Sequence, residues 1–393
     1  MDLSPFSVFC PISVDIWLSQ SDNFLCSLIV IAVRLMETDM RSIGLSMFLL
    51  TLLVAPLFQS GCNSQLQLRA VPLSIKEIIA EFEDGGAQVR VSNQGRVLDI
   101  FMIIETSTIT PQDLRKLNGL QQQIRLSIGG KGSVAEYLVA LNGVNITSLT
   151  LENTSTADDD LLHIRGLSNL EDLSLRNTNI SEKGIEHLIN LKALKSLDLT
   201  GCSLDGATLV ALKQLPNLSE LLVSETELSK EAWDNIVTLS NLKYLVAAEC
   251  DLSELDIEGL IHSNKLQSLR ISKSKVNQTL IGRLVELEAL EILDISYCSI
   301  EQKKIAELRR APALATLDLS GTLKSVPALE AIASVKTLGT LSICDTQLTD
   351  HALQVLGKMN HLISLDVSGT RISEANLLKL REQLSNTEVM HFY

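Results

Sequence analysis

The sequence predicts an α/β solenoid: a long parallel sheet with a helix on the return of each unit, closed at its amino-terminal end by a helix and a hairpin. Three observations predict it. An aliphatic residue recurs every 24 positions, at Ile146, Leu170, Leu194, Leu218, Leu242, Leu266, Leu290, Leu314, Leu338 and Leu362. Each opens a phrase with apolar residues three and five positions on, as in LEDLSL, LKSLDL and LATLDL. Aromatics make up only 4% of a chain that is 46% hydrophobic, so aliphatic side chains must build the core.

Taken in order, the chain begins with a segment that is not part of this array. Residues 40–62, MRSIGLSMFLLTLLVAPLFQSGC, place one Arg before an apolar run from Ile43 to Phe58 and small residues before a cysteine. That is the layout of a secretory signal, and the run is short for a membrane span of about 20 residues. Ser60-Gly61-Cys62 resembles the lipobox of bacterial lipoproteins, with Gln59 where that family prefers Leu. The resemblance implies a signal peptide over 40–61, a diacylated Cys62 as mature amino terminus, and a tether over 62–72. Two acyl chains anchor stably where one binds only marginally. Asn63 after the cysteine favours outer-membrane sorting by the same resemblance, so the expected location is the cell envelope, on a periplasmic or outer-membrane face. Residues 1–39 lack a basic start and carry scattered acids. They read as an unstructured stretch ahead of a true start at Met36 or Met40.

Residues 73–104 are expected to cap the array. SIKEIIAEFED has the spacing of an amphipathic helix, and AQVRVSNQGRVLDIFMII reads as a hairpin turning at Asn93-Gln94-Gly95. The array then occupies 105–393. ITPQDLRKL already follows the repeat's spacing, RLSI opens a unit one residue short, and LSNTEVMHFY supplies a last strand.

Within a unit, apolar residues separated by one polar residue share one face of a short strand. Ten positions after the anchor stands another aliphatic, such as Ile180, Leu204 or Ile372, and the next residue is usually a helix N-cap type, such as Ser181, Ser229, Asn277, Thr349 or Ser373. Apolar residues then recur at spacing three, as in Ile185, Leu188, Leu191, giving a helix one buried side. Parallel strands need such a crossover. About seven buried aliphatics are worth ~10–20 kcal/mol gross, less than the cost of ordering 24 residues at roughly 1–2 kcal/mol each. No unit should stand alone, and neighbours must share the core.

This pattern resembles the leucine-rich repeat family in its 24-residue bacterial form. The resemblance covers the chain after residue 72 and implies a curved solenoid with strands on the concave face and helices outside. Eight residues after the anchor, where that family commonly has Asn, stand Thr154, Thr178, Cys202, Thr226, Cys250, Ser274, Cys298, Thr322, Thr346 and Thr370. A variant ladder of small hydroxyls and thiols is expected at this bend. In the unit opening at Leu314, Lys324 takes an apolar position, and Leu323 or Val326 should fill the gap.

Little in the sequence argues for chemistry. A net charge of −14 repels phosphate backbones, so nucleic acid is not an expected partner. SIGGKGSVAEYL could cradle phosphate at a helix start, but Gly132 separates Lys131 from Ser133, and the repeat register makes this an ordinary strand-to-helix bend. No histidine or cysteine pair has zinc-ligand spacing, and no nucleophile elbow is present; no metal, cofactor or catalytic residue is expected. Cys202, Cys250 and Cys298 recur two units apart, roughly 10 Å across strands spaced ~4.8 Å, beyond disulfide reach of ~7 Å. They should be unpaired core residues.

What remains is the solvent side of the strands, at positions two, four and six after each anchor. Asp294 and Asp318 should be cross-strand neighbours, a like-charge adjacency. Leu222, Tyr244, Val246, Ile292 and Tyr297 form an apolar and aromatic patch beside them, with Asp198, Arg270 and Asp366 along the same face. An apolar centre with an acidic flank suits a protein or peptide with a basic rim. The sequence thus points to a monomeric, non-catalytic binding module for a protein, peptide or polymer, lipid-anchored through Cys62. The competing readings are a secreted enzyme inhibitor or effector without the lipid, and a hydrolase using Asp294 and Asp318 as an acid–base pair.

Overall fold

The computed structural model describes residues 73–204 and 209–392. Cys62, the signal segment, the tether and residues 1–39 lie outside the described residues.

The described residues form a 14-stranded sheet in which every strand neighbours its sequence successor, apart from two two-residue strands, Asp251–Leu252 and Lys275–Val276, that pair with each other. Strands Gln88–Ser92 and Val97–Ile103 form an antiparallel hairpin, and Asn93 and Gln94 at its turn take positive φ of 50° and 55°. Every later pairing is parallel, from Val97–Ile103 against Gln123–Gly129 to Ser364–Asp366 against Glu388–Met390. The unit that is one residue short appears as a register shift between Ile124 and Arg125 where they pair with Ile146–Thr150. From there residues 24 apart lie opposite each other, for example Leu269 and Leu293.

The anchor leucines and their partners three and five positions on are buried together with the helix aliphatics in one continuous core. At the amino-terminal end the helix Leu73–Asp84 contributes Ile75, Ile79 and Phe82 to that core. Val389 of the last strand and Leu384 are buried at the other end. In the unit opening at Leu314 the gap at Lys324 is filled by Leu323, only 4% exposed.

The return segments run from 3-10 helix, through α-helix ending in a 3-10 turn as at Gln302–Glu307 and Leu308–Arg310, to α-helix alone. With apolar residues three apart at Leu209, Leu212 and Leu215, the segment Leu209–Gln214 is a 3-10 helix, whose side chains eclipse every third residue. Where threes and fours mix, as at Ala232, Trp233, Ile236, the segment Lys230–Val237 is α-helical. Caps follow the sequence at Ser229, Asn277, Thr349 and Ser373, whose side chains accept from backbone N–H groups three residues on. Ser253 departs from the pattern: its hydroxyl bonds Asp251, and the helix Glu258–Ser263 begins later, after Ile257.

The ladder at the eighth position is built as a chain of hydrogen bonds. Thr178 Oγ1 donates to its own unit's Leu175 carbonyl at 2.6 Å, and Cys202 Sγ donates to the same carbonyl from the next unit at 3.1 Å. Thr226 and Cys250 share the Val223 carbonyl in the same way. Ser274, Cys298 and Thr322 each reach back to the preceding unit, at 3.0, 3.1 and 2.9 Å. A small donor with one polar atom suffices, which is why Thr, Ser and Cys interchange here. Cys202, Cys250 and Cys298 are buried free thiols, and burial pushes Cys298 up to about 11.

Candidate interaction face

Each strand ends in a bend that the strand pattern alone does not announce. The seventh residue after every anchor has positive φ: Asn153, Asn177, Gly201, Glu225, Glu249, Lys273, Tyr297, Gly321, Asp345 and Gly369. In all ten the N–H donates to the carbonyl of the residue before the bend in the next unit, as Glu249 does to Ser272 at 2.9 Å and Tyr297 to Ser320 at 2.7 Å. The left-handed turn therefore lets the chain leave the sheet while keeping one more ladder bond. Asn, Asp and Gly tolerate that conformation; Glu225, Glu249, Lys273 and Tyr297 do so at a cost of roughly 1–2 kcal/mol each. These four lie in consecutive units. The recurrence of Asn, Gly and Asp at this position in the other six was the sequence signal for the bend.

The first three of the four strained units also depart from their neighbours on the sheet face. At the fourth position the common residue is an acid whose carboxylate turns back onto its own chain. Asp198 accepts from the Thr200 N–H at 2.9 Å, and Asp294 from the Ser296 N–H and hydroxyl at 2.9 and 2.6 Å. Asp318 accepts from Ser320 N–H at 2.8 Å, and Asp366 from Ser368 N–H and hydroxyl at 3.0 and 2.5 Å. Between Asp198 and Asp294 this position holds Leu222, Val246 and Arg270, with no carboxylate to close the bracket.

The expected solvent-facing column is thus corrected at three places. Asp198, Leu222 and Asp366 are 8%, 5% and 2% exposed. The acids serve their own strand ends, so the expected acidic flank is largely turned inward. Asp294 and Asp318 do stand opposite each other in register. Burial, then the neighbouring Asp294 charge, hold the Asp318 carboxyl above its ordinary range. With both carboxylates engaged by serines, neither is a free acid or base aimed at solvent.

At positions two, four and six from Ser148 to Ser368, only Asp172, Tyr244 and Arg270 are exposed among the described residues. Tyr244, 39% exposed, lies between Glu220 and Ser268; Arg270 lies between Val246 and Asp294 and has no ion-pair partner within the described residues. Ile292 and Val246 are half-buried beside them. Tyr297, 47% exposed, sits at the bend of the next unit, its ring over Gly321 and its hydroxyl donating to the Asp345 carboxylate. The charges at the neighbouring bends are spent on each other: Arg176 pairs with Glu225 at 3.1 Å and Lys273 with Glu249 at 3.0 Å. Tyr244, Arg270 and Tyr297 fall on three successive strands at rising positions, a diagonal of roughly 20 Å from end to end.

The glycine loop at 129–132 is occupied by the protein itself. The Glu105 carboxylate lies against Gly130 and accepts from the Lys131 N–H. An acid in that place disfavours phosphate. Among the described residues there is no group of three or more His, Cys, Asp or Glu placed to hold a metal ion, and no helix is long and apolar enough to cross a membrane.

A repeating strand, ladder bend and return helix over one aliphatic core define a leucine-rich repeat protein. The family model described as a leucine-rich repeat region matches residues 144–388, and the chain belongs to that family. By sequence it matches no curated protein. Among solved structures it is similar to an internalin (inlF) from Listeria monocytogenes, at 18% identity over 83% of this chain and 97% of that one, with a TM-score of 0.47. It is also similar to internalin C2 from the same organism, at 19% identity over 63% and 93%, TM-score 0.40, and to a TDR receptor, at 16% over 74% and 53%, TM-score 0.47.

Proposed function

We propose that this protein is a non-catalytic module that binds another protein through the sheet face and bends of the four units opening at Leu218, Leu242, Leu266 and Leu290. One observation carries the reading: the four strained bends lie in consecutive units, and in the first three of those units Leu222, Val246 and Arg270 replace the inward-turned acid. Strain at Glu225, Glu249, Lys273 and Tyr297 persists where Asn or Gly serves the fold elsewhere, and it places large side chains at the rim of the exposed Tyr244 and Arg270. Tyr and Arg dominate the energetic centres of protein interfaces. Tyr244, Val246, Arg270, Ile292 and Tyr297 form the contact centre, with Leu222, Asp198, Asp294, Asp318 and Asp366 as its frame.

The display proposed with it is at the cell envelope through acylated Cys62, which the signal-like segment and lipobox resemblance support. Photo-crosslinking in the native host tests the binding reading. A crosslinker at Tyr244 should yield a discrete adduct that one at the exposed helix-side residue Val210 does not. Adducts from Val210 alone would place binding on the other side. Intact mass and membrane partitioning of the protein and of Cys62→Ser test the anchor: an unmodified chain, or a variant that stays with the membrane, rules it out.

A further inference from the structure

The sequence pattern suggested a partner with a basic rim, because acids recur along the sheet face. The side-chain geometry reverses that expectation. Asp198, Asp294, Asp318 and Asp366 are bonded to their own strand ends, and the acids at Glu225 and Glu249 are paired with Arg176 and Lys273. In the middle of the face the charge that projects is Arg270, exposed and without an ion pair or hydrogen bond among the described residues, in a chain whose net charge is −14. It is bordered by Val246 in register on one side, with Tyr244 and Ile292 two positions below on the flanking strands.

Resting on the binding reading above, we infer that the partner presents a carboxylate side chain to Arg270, flanked by apolar or aromatic side chains that lie on Tyr244, Val246 and Ile292. A guanidinium offers a planar fork of N–H donors that matches a carboxylate bidentately. The aliphatic and aromatic surface around it excludes water, so the charge pair forms in a poorer solvent than bulk water. Asp294, in register on the other side, faces Arg270 while its carboxylate accepts from Ser296. It holds the strand end and leaves the guanidinium free to reach outward.

A displayed library of random linear peptides, selected on the full chain, tests this. Selected clones should be enriched in Asp or Glu next to Phe, Tyr, Leu or Ile. Affinity should fall by about tenfold or more in Arg270→Ala, be partly kept in Arg270→Lys, and turn to Lys- or Arg-bearing clones when the library is reselected on Arg270→Glu. Clones that lack acids, or that bind Arg270→Glu as well as the native protein, overturn the carboxylate inference; if those same clones are lost in Tyr244→Ala, the face itself still stands. Clones indifferent to both Arg270 and Tyr244 overturn the inference and the binding face together. All variants are at exposed positions, and each is checked by its thermal transition before scoring.

Discussion

The carboxylates of Asp294 and Asp318 stand opposite each other on adjacent parallel strands, and each is tied to the serine two residues further along its own chain. Burial and the Asp294 charge both favour the neutral form of Asp318, so its folded pKa lies above the unfolded carboxyl value near ~3.9. Between those two values the folded state binds more protons than the unfolded one. Stability therefore falls as pH rises through that window, and the full penalty persists above it. Asp318→Asn keeps an acceptor for Ser320 and removes the charge. It should raise stability at pH 7 by about 1 kcal/mol, a gain that shrinks as pH falls through that window and is gone below about pH 4. Urea unfolding across pH measures it; an unchanged or less stable variant at pH 7 would show the pair to be compensated.

Gly321 is held by two constraints at once. Its φ is +64°, and a Cβ there would meet the Tyr297 ring at 2.5 Å. Gly321→Ala should cost about 2–3 kcal/mol, of which roughly 1–2 is the left-handed backbone. The remainder should vanish in the Tyr297→Ala background. A double-mutant cycle on thermal unfolding reads this, and strictly additive effects would mean that the ring moves aside freely.

Thr322 is 1% exposed, donates to the Ile295 carbonyl at 2.9 Å and accepts from the Cys298 N–H at 3.0 Å. Thr322→Val leaves a buried amide unpaired and should cost about 1–3 kcal/mol. Thr322→Ser keeps the hydroxyl and should cost less than half of that. Equal losses would assign the effect to packing.

Glu249 has φ +58° in a position that Asn and Gly fill elsewhere. Glu249→Asn releases backbone strain of roughly 1 kcal/mol against a surface ion pair with Lys273 worth about 0.5 kcal/mol. The variant should be slightly more stable and, if the bends form the rim of the binding face, should bind its partner less well. A destabilised variant would show that the ion pair outweighs the strain.

Thiol labelling reads the ladder directly. With Cys298 pushed up to about 11 and buried, little thiolate is available at pH 8. Cys202, Cys250 and Cys298 should react only on unfolding, whereas half-buried Cys344 should react before them. Rapid native labelling of the three would show the ladder to open locally.

Much of this architecture is legible in the residues alone. The 24-residue spacing of Ile146 through Leu362, and the period-two phrase that follows each, determined the parallel strands, their register and the aliphatic core, because periodic burial is a local property of a chain. The small-donor column from Thr154 to Thr370 likewise announced a ladder. Tertiary structure decided where the acids turn, which bends are strained, and which charge remains for a partner. Asp198 and Asp366 share a strand position with Arg270, yet only the arginine projects, since the carboxylates find N–H and hydroxyl donors two residues on and a guanidinium cannot accept from them. Glu225 and Tyr297 are left-handed because their N–H groups are held by carbonyls one unit away. That constraint exists only once neighbouring units have stacked.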